Sequence, residues 1–319
     1  MTPQPMRDPL VLIPIFEDWE ALLLLLPDLA ERLAEHGRQA NVVIVDDGSM
    51  ESAPAAVREY QSAGITRVEV LRLRRNLGHQ RALAIGLAWV EEERPDRVVV
   101  VMDGDGEDSP RDVPRLLDSL EEGGCHHVVF AARARRAEGI VYWCFYQLYK
   151  LAHRLLTGIP VRVGNFSAIP PKRLAQLTVT SELWNHYAAA VFHARLPVQT
   201  IPADRARRLS GQSKMSFIAL VRHGMSAMSV FGDVVGVRLL AASSGLVALV
   251  LLGLVGAIGS GGSLSGWLLP LLGLALVLAL QIGTICALFV FGTLQARSGV
   301  AFLPARDYRW FVERLEAPE

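Results

Sequence analysis

Four carboxylates, Asp103, Asp105, Glu107 and Asp108, fall within six residues of the run Met102-Asp-Gly-Asp-Gly-Glu-Asp-Ser-Pro110. Charges of one sign held this closely repel, and a solvated turn has no need of such density. A hard cation resolves the repulsion. Mg²⁺ or Mn²⁺ takes oxygen ligands and retains waters and substrate phosphates. The alternate placement predicts that Asp103, Asp105 and Glu107 point into one pocket as metal ligands, with Gly104 and Gly106 leaving room for a diphosphate. A cation there neutralises the charge that develops on a diphosphate leaving group. Pro110 and the preceding apolar strand argue against a helix-flanked calcium loop.

A second acidic segment, Asp46-Asp47-Gly48-Ser49, also follows an apolar run. Its carboxylates suit the N–H groups of a nucleobase or the hydroxyls of a ribose, and equally suit an ordinary Asp/Gly turn. The segment from Arg205 to Lys214 carries Arg207 and Arg208 as well, with Gly211 and Ser213 between the cations. Such a cluster fits phosphate oxygens, with bidentate contacts from arginine, or an anionic lipid surface. Glu182 and His186, read as an i, i+4 helical pair, are candidates for a general base or for a solvated helix face.

These groups need a frame. Leu10–Ile13, Asn41–Val45, Val68–Leu71, Arg97–Met102 and Val128–Ala131 read as strands buried on both faces. Helical spacing covers Trp19–Glu35, Ala53–Ser62, Gln80–Glu93 and Val113–Glu121. Alternation of the two predicts an α/β domain with a mostly parallel sheet, in which ligands bind beyond the carboxyl ends of the strands. Both acidic segments fall there. Leu22–Leu26 is interrupted by Pro27 and flanked by charge, so it reads as the core face of a helix and not as a membrane span.

The chain has 319 residues, 51% of them hydrophobic, and a formal charge of +0. Neutrality gives no basis for binding nucleic acid. No Asp, Glu, Lys, Arg or His occurs from Leu239 to Ala296. Leu239–Gly259 and Trp267–Phe291 are each long enough to cross a bilayer, joined by the short link Ser260–Gly266. A soluble helical hairpin would lack a solvated face. Arginines at 222, 238, 297, 306, 309 and 314 flank the outer ends, which places both termini and the first domain in the cytoplasm. Between the domain and the spans, Phe217, Leu220, Val221, Met225, Met228, Phe231 and Val235 recur at helical spacing, opposite Arg222, Ser226, Ser229 and Asp233. That pattern predicts a helix lying in the membrane interface, packing on the domain being the alternative. The expected organisation is residues 1–212 as the soluble domain, 213–238 as the interfacial helix, 239–296 as a transmembrane hairpin and 297–319 as a cytoplasmic tail. The three cysteines, Cys125, Cys144 and Cys286, show no metal or disulfide spacing, consistent with a reducing compartment. No signal peptide is expected at the N-terminus.

Together these segments resemble family 2 glycosyltransferases of the GT-A fold, and within them polyprenyl-phosphate glycosyltransferases such as dolichol-phosphate mannose synthase. Pro14-Ile15-Phe16-Glu17-Asp18 is similar to the family's Pro-x-Tyr-Asn-Glu opening, and Asp46-Asp47-Gly48-Ser49 to its nucleotide-binding Asp-Asp-Gly-Ser. Asn76-Leu-Gly78, with Ala82 and Gly86, matches the start of the third helix. Asp103-Gly-Asp105-Gly-Glu107-Asp108-Ser-Pro110 resembles Asp-x-Asp-x-Gln-(Asp/His)-Pro-Pro, with Glu for the metal-serving Gln. Arg133 stands where the family binds phosphate, and Arg205-x-x-Arg208-x-x-Gly211-x-Ser213-Lys214 matches in full. Two membrane helices after that motif fit the bacterial members. One departure is Gly164-Asn165-Phe166-Ser167 in place of Gly-Asp-Phe-Arg, with Arg135, Arg136 or Arg162 as candidates to supply the lost charge.

The resemblance implies inverting transfer of a sugar from a nucleotide-sugar donor to a polyprenyl phosphate, or to another lipid or saccharide hydroxyl, at the cytoplasmic face of the inner membrane, in cell-envelope glycan biosynthesis. A non-catalytic nucleotide-sugar-binding scaffold is the alternative outside enzymes, and a homo-oligomer is left open. Pro14, Phe16, Asp18, Asp46, Asp47, Asp103 and Ser213 are then expected at the donor. Asp105, Arg133, Arg205, Arg208 and Lys214 are expected at the reacting phosphates.

Overall fold

Runs of Val, Ile and Leu between charged segments make the strands, because β-branched side chains pack well on a pleated surface covered on both faces. The computed structural model describes residues 8–133, 140–159, 163–204, 206–210, 217–259, 268–298 and 302–317. It contains β1 (Leu10–Ile15), α1 (Trp19–Glu35), β2 (Ala40–Asp46), α2 (Ala55–Arg58), β3 (Ile65–Leu73) and α3 (His79–Glu93). These are followed by β4 (Val99–Val101), α4 (Asp112–Glu122), β5 (Val128–Arg133), α5 (Ile140–Thr157), β6 (Ser167–Ile169), α6 (Pro171–Thr178), α7 (Tyr187–His193) and β7 (Val198–Ala203). Last come α8 (Phe217–Ser229), α9 (Gly232–Gly259), α10 (Leu268–Ser298) and β8 (Val312–Glu316).

Among the described residues the strands form one eight-stranded sheet in the order β7-β5-β6-β4-β1-β2-β3-β8. β1 is parallel to β2 and β4, β2 to β3, and β5 to β7, while β6 and β8 run antiparallel to their neighbours. β5 and β7 therefore point the same way as β1–β4. The loops after β1, β2, β3, β4, β5 and β7 all leave from one end of the sheet, where ligands of open α/β sheets bind.

All five expected strands form. β6, β7 and β8 were not anticipated. α2 is shorter than the expected Ala53–Ser62. Pro54 stands just before it, and beyond Arg58 the chain turns to let the Ser62 hydroxyl accept a hydrogen bond from the Ile65 N–H at 3.1 Å. In α1, Leu22, Leu25, Leu26 and Leu29 are buried while Leu24 is exposed, as an amphipathic core helix requires. One side of the sheet packs on α1 and α4 through Val11, Ile13, Val42, Ile44 and Val100, the other on α3 and α7 through Leu12, Val43, Val45, Val101 and Phe130.

The described chain divides into two units, residues 1–143, 162–230 and 302–319, and residues 144–161 and 231–301. Among the described residues of the expected interfacial segment 213–238, the helix is interrupted. α8 ends at Ser229, and the segment from Gly232 already belongs to α9. Within the first unit the Ser226 hydroxyl of α8 donates to the Asn185 carbonyl at 2.6 Å, while Met225 is exposed.

In the second unit, Gly232–Gly259 and Pro270–Gly292 are long and apolar enough to cross a membrane, and only 6% and 11% of their most apolar stretches are buried. A core helix of a soluble protein would be mostly covered. Exposed apolar surface of this length needs lipid around it, and the chain is membrane-associated.

Candidate active site

The loop after β2 is closed by its own carboxylates. Asp46, fully buried, accepts the Ser49 N–H at 2.9 Å. Asp47 accepts the Leu77 and Gly78 N–H groups at 2.7 and 2.8 Å, tying this loop to the one after β3. Burial pushes the Asp47 carboxyl up to about 6, against the two backbone donors and His79, which favour its ionised form. Gly48 is required here. Its φ is +74°, and a Cβ would lie 2.6 Å from the Arg75 carbonyl carbon.

The loop after β1 is locked to the same segment. Glu17, at φ 54°, donates its N–H to the Ser49 hydroxyl at 3.0 Å, and its carboxylate accepts the Met50 N–H at 2.5 Å. Phe16 is 40% exposed beside it, and Pro14 is buried within β1. Arg72 of β3 reaches across. It donates to the Ser49 carbonyl at 2.8 Å, stands 3.8 Å from Asp46 Oδ2, and pairs with Glu313 of β8 at 3.3 Å. Asp46 Oδ2 and Arg72 Nη1 are buried without a hydrogen bond between them, an acceptor and a donor left over at the expected nucleotide end.

The acidic loop after β4 folds on itself. Asp108 accepts the Asp103 N–H at 3.0 Å, and Asp105 Oδ1 accepts the Glu107 N–H at 2.9 Å. The segment after β7 is stitched to this loop by two backbone bonds, Ala206 N–H to the Glu107 carbonyl and Leu209 N–H to the Asp105 carbonyl, both 3.0 Å. Arg208 then joins three loops. Its guanidinium donates to Asp105 at 3.2 Å, to Asp18 at 3.0 Å and to the Ser210 carbonyl at 2.9 Å.

The geometry does not preform the convergence expected of Asp103, Asp105 and Glu107. Among the described residues no three Asp, Glu, His or Cys side chains stand together as a preformed metal cage. Asp105 has turned both oxygens to protein donors, and Asp103 Oδ1 lies 3.3 Å from His79 Nε2. The Glu182/His186 pair is corrected. Glu182 belongs to a 3₁₀ turn, and His186 precedes α7 as its cap, so the two do not share a helix face. His186 is buried, accepts from the Ala189 N–H and contacts His223 at 3.2 Å, while Glu182 accepts from the Ser181 hydroxyl at 2.9 Å.

Arg133 ends β5 at the site end of the sheet. Arg205, Ser213, Lys214, Arg135, Arg136 and Arg162 lie outside the described residues. His79, Arg72 and Glu313 were not anticipated. His79 directly follows the Asn-x-Gly motif, a signal that was available, whereas Arg72 and Glu313 are ordinary charged strand residues with nothing in spacing to mark them. Among the described residues Cys125 and Cys286 are free thiols.

Two acidic loops and an arginine-bearing loop thus meet at one end of the sheet. Residues 10–174 match the model of glycosyl transferase family 2. The chain belongs to that family and is a glycosyltransferase of the α/β GT-A class. Among its relatives is the undecaprenyl-phosphate 4-deoxy-4-formamido-L-arabinose transferase of Klebsiella pneumoniae (strain 342), 26% identical over 270 residues, covering 79% of this chain and 78% of that one. The protein of the same description from Edwardsiella ictaluri (strain 93-146) is 25% identical over 246 residues, covering 70% and 71%. The solved structure of mannosyl-3-phosphoglycerate synthase from Rubrobacter xylanophilus aligns with a TM-score of 0.49 at 15% identity, over 70% of this chain and 72% of that one.

Proposed function

We propose that this glycosyltransferase moves a sugar, with inversion, from a nucleotide-sugar donor to a polyprenyl phosphate at the cytoplasmic face of the membrane. The observation that carries the reading is the junction at Arg208, where one guanidinium draws Asp18, Asp105 and the segment after β7 to a single point at the site end of the sheet. The relatives described as acting on undecaprenyl phosphate support the acceptor class.

In this reading Asp46, Asp47, Pro14, Phe16 and Asp18 form the nucleoside end. Asp103, Asp105 and Glu107 hold Mg²⁺ or Mn²⁺, of the kind that family 2 enzymes typically use. Carboxylate oxygens fit that ion, since it keeps waters and substrate phosphates as ligands and needs few protein groups. When bound, the ion supplies charge neutralisation to the leaving diphosphate. Arg133, Arg205, Arg208 and Lys214 position the acceptor phosphate, with Ser213 at the donor. A phosphate monoester is largely ionised at neutral pH, its second pKa being about 6, so the reaction asks for positioning and not for a strong base. The engagement of Glu182 and His186 elsewhere favours this acceptor over a hydroxyl, which would want a base.

The test is incubation of membranes containing the protein with labelled UDP- and GDP-sugars, undecaprenyl phosphate and Mg²⁺ or Mn²⁺. Lipid-linked label is expected, and Glu182→Gln should leave turnover unchanged. No labelled lipid from any donor would overturn the reading.

A further inference from the structure

Asn165 touches His79, the first residue of α3. Tyr187 donates its backbone N–H to Gln80 Oε1 at 2.7 Å. A backbone N–H has no choice of role, so this bond fixes which end of the Gln80 amide is oxygen. The Gln80 Nε2 then donates to Asn165 Oδ1 at 3.2 Å, which fixes the Asn165 amide in turn. Its remaining group, Nδ2, lies 3.0 Å from His79 Nε2. An amide nitrogen only donates, so His79 Nε2 must accept and cannot carry a proton. The ring proton sits on Nδ1.

His79 Nε2 also stands 3.3 Å from Asp103 Oδ1. A neutral ring that presents a lone pair has no proton on this nitrogen to give the carboxylate. The two atoms are a nitrogen and an oxygen donor side by side, close to the spacing of adjacent ligands in an octahedral site with bonds of about 2.1 Å, roughly 3 Å. The ring is 39% exposed, open to an arriving ligand.

We infer that His79 is a nitrogen ligand to the divalent cation of the donor site, paired with Asp103, and that Asn165 holds the imidazole in its lone-pair-forward tautomer until the ion replaces the amide N–H. This rests on the divalent cation of the proposed function. It also gives Asn165 a reason. An aspartate at this position would call for an Nε2–H donor and so remove the lone pair. An imidazole nitrogen suits Mn²⁺ better than Mg²⁺, which prefers oxygen, so the site is tuned toward manganese.

The experiment uses the full-length chain in detergent with Mn²⁺ alone, read by electron spin-echo envelope modulation. Modulation from a directly bound ¹⁴N is expected, changing on ¹⁵N-histidine labelling and absent in His79→Gln. That variant should bind Mn²⁺ about tenfold more weakly, with Mg²⁺ competition unchanged. Asn165→Asp should retain Mn²⁺ but lose most of the nitrogen modulation, and melting temperatures confirm that both variants are folded. Bound Mn²⁺ without histidine modulation, or modulation that persists in folded His79→Gln, overturns the inference while leaving the cation in place. Absence of any Mn²⁺ binding overturns both the inference and the cation on which it rests.

Discussion

At the scale of single residues, the site is held by charges that answer one another. Arg208 is 17% exposed and faces two carboxylates, so removing it takes from Asp18 and Asp105 the cation they share. Arg208→Ala is expected to lower donor affinity by about 2 kcal/mol, roughly 30-fold, with Arg208→Lys recovering part of it. Isothermal titration with the accepted nucleotide sugar measures this, and unchanged affinity would refute the role given to the junction. Asp47 makes a prediction about pH. Its folded value of about 6 lies above the ordinary 3.8, so the folded protein holds the proton more tightly than the unfolded chain. The stability this contributes is complete below about pH 4 and is lost as pH rises through 6. Thermal unfolding in detergent should show the wild type losing stability relative to Asp47→Asn across that window, and a constant difference would contradict it.

At the scale of elements, the acidic loop keeps its shape through one glycine. Gly106 has φ +82°, and a Cβ there would meet Leu209 Cγ at 2.4 Å, against the segment that carries Arg208. Gly106→Ala is expected to cost about 1–3 kcal/mol of stability and to reduce transfer more than the fall in melting temperature explains, because it pushes Arg208 from Asp105. Melting curves set beside initial rates decide this. The early strands were legible because each is a β-branched run buried on both faces. β6 is three residues long, and β8 reads Val-Glu-Arg-Leu-Glu, too short and too charged to announce itself. Only its pairing with β3, Leu71 opposite Leu315 and Arg72 opposite Arg314, makes it a strand, and that pairing brings Glu313 to Arg72.

At the scale of the whole molecule, the apolar helices and the charged domain belong to different solvents. The arrangement expected from flanking arginines puts the Ser260–Gly266 link outside and the catalytic domain inside. In a chain whose Cys125, Cys144 and Cys286 are replaced by serine, Ser263→Cys should react with an impermeant maleimide in intact cells. Gln61→Cys, on the catalytic domain, should react only after lysis. The reverse pattern would place the donor site on the wrong side for a cytosolic nucleotide sugar. What the sequence determined by itself was local. Periodicity marked the first five strands and the helices between them, absence of charge marked the two long apolar helices, and clustered acids marked the loops, since each signal is carried by neighbours along the chain. What only the tertiary structure decided was pairing at a distance. Arg208 meets Asp18 across 190 positions, and Asn165 reaches His79 across 86. Such contacts depend on strand order and loop approach, which leave no mark in local spacing.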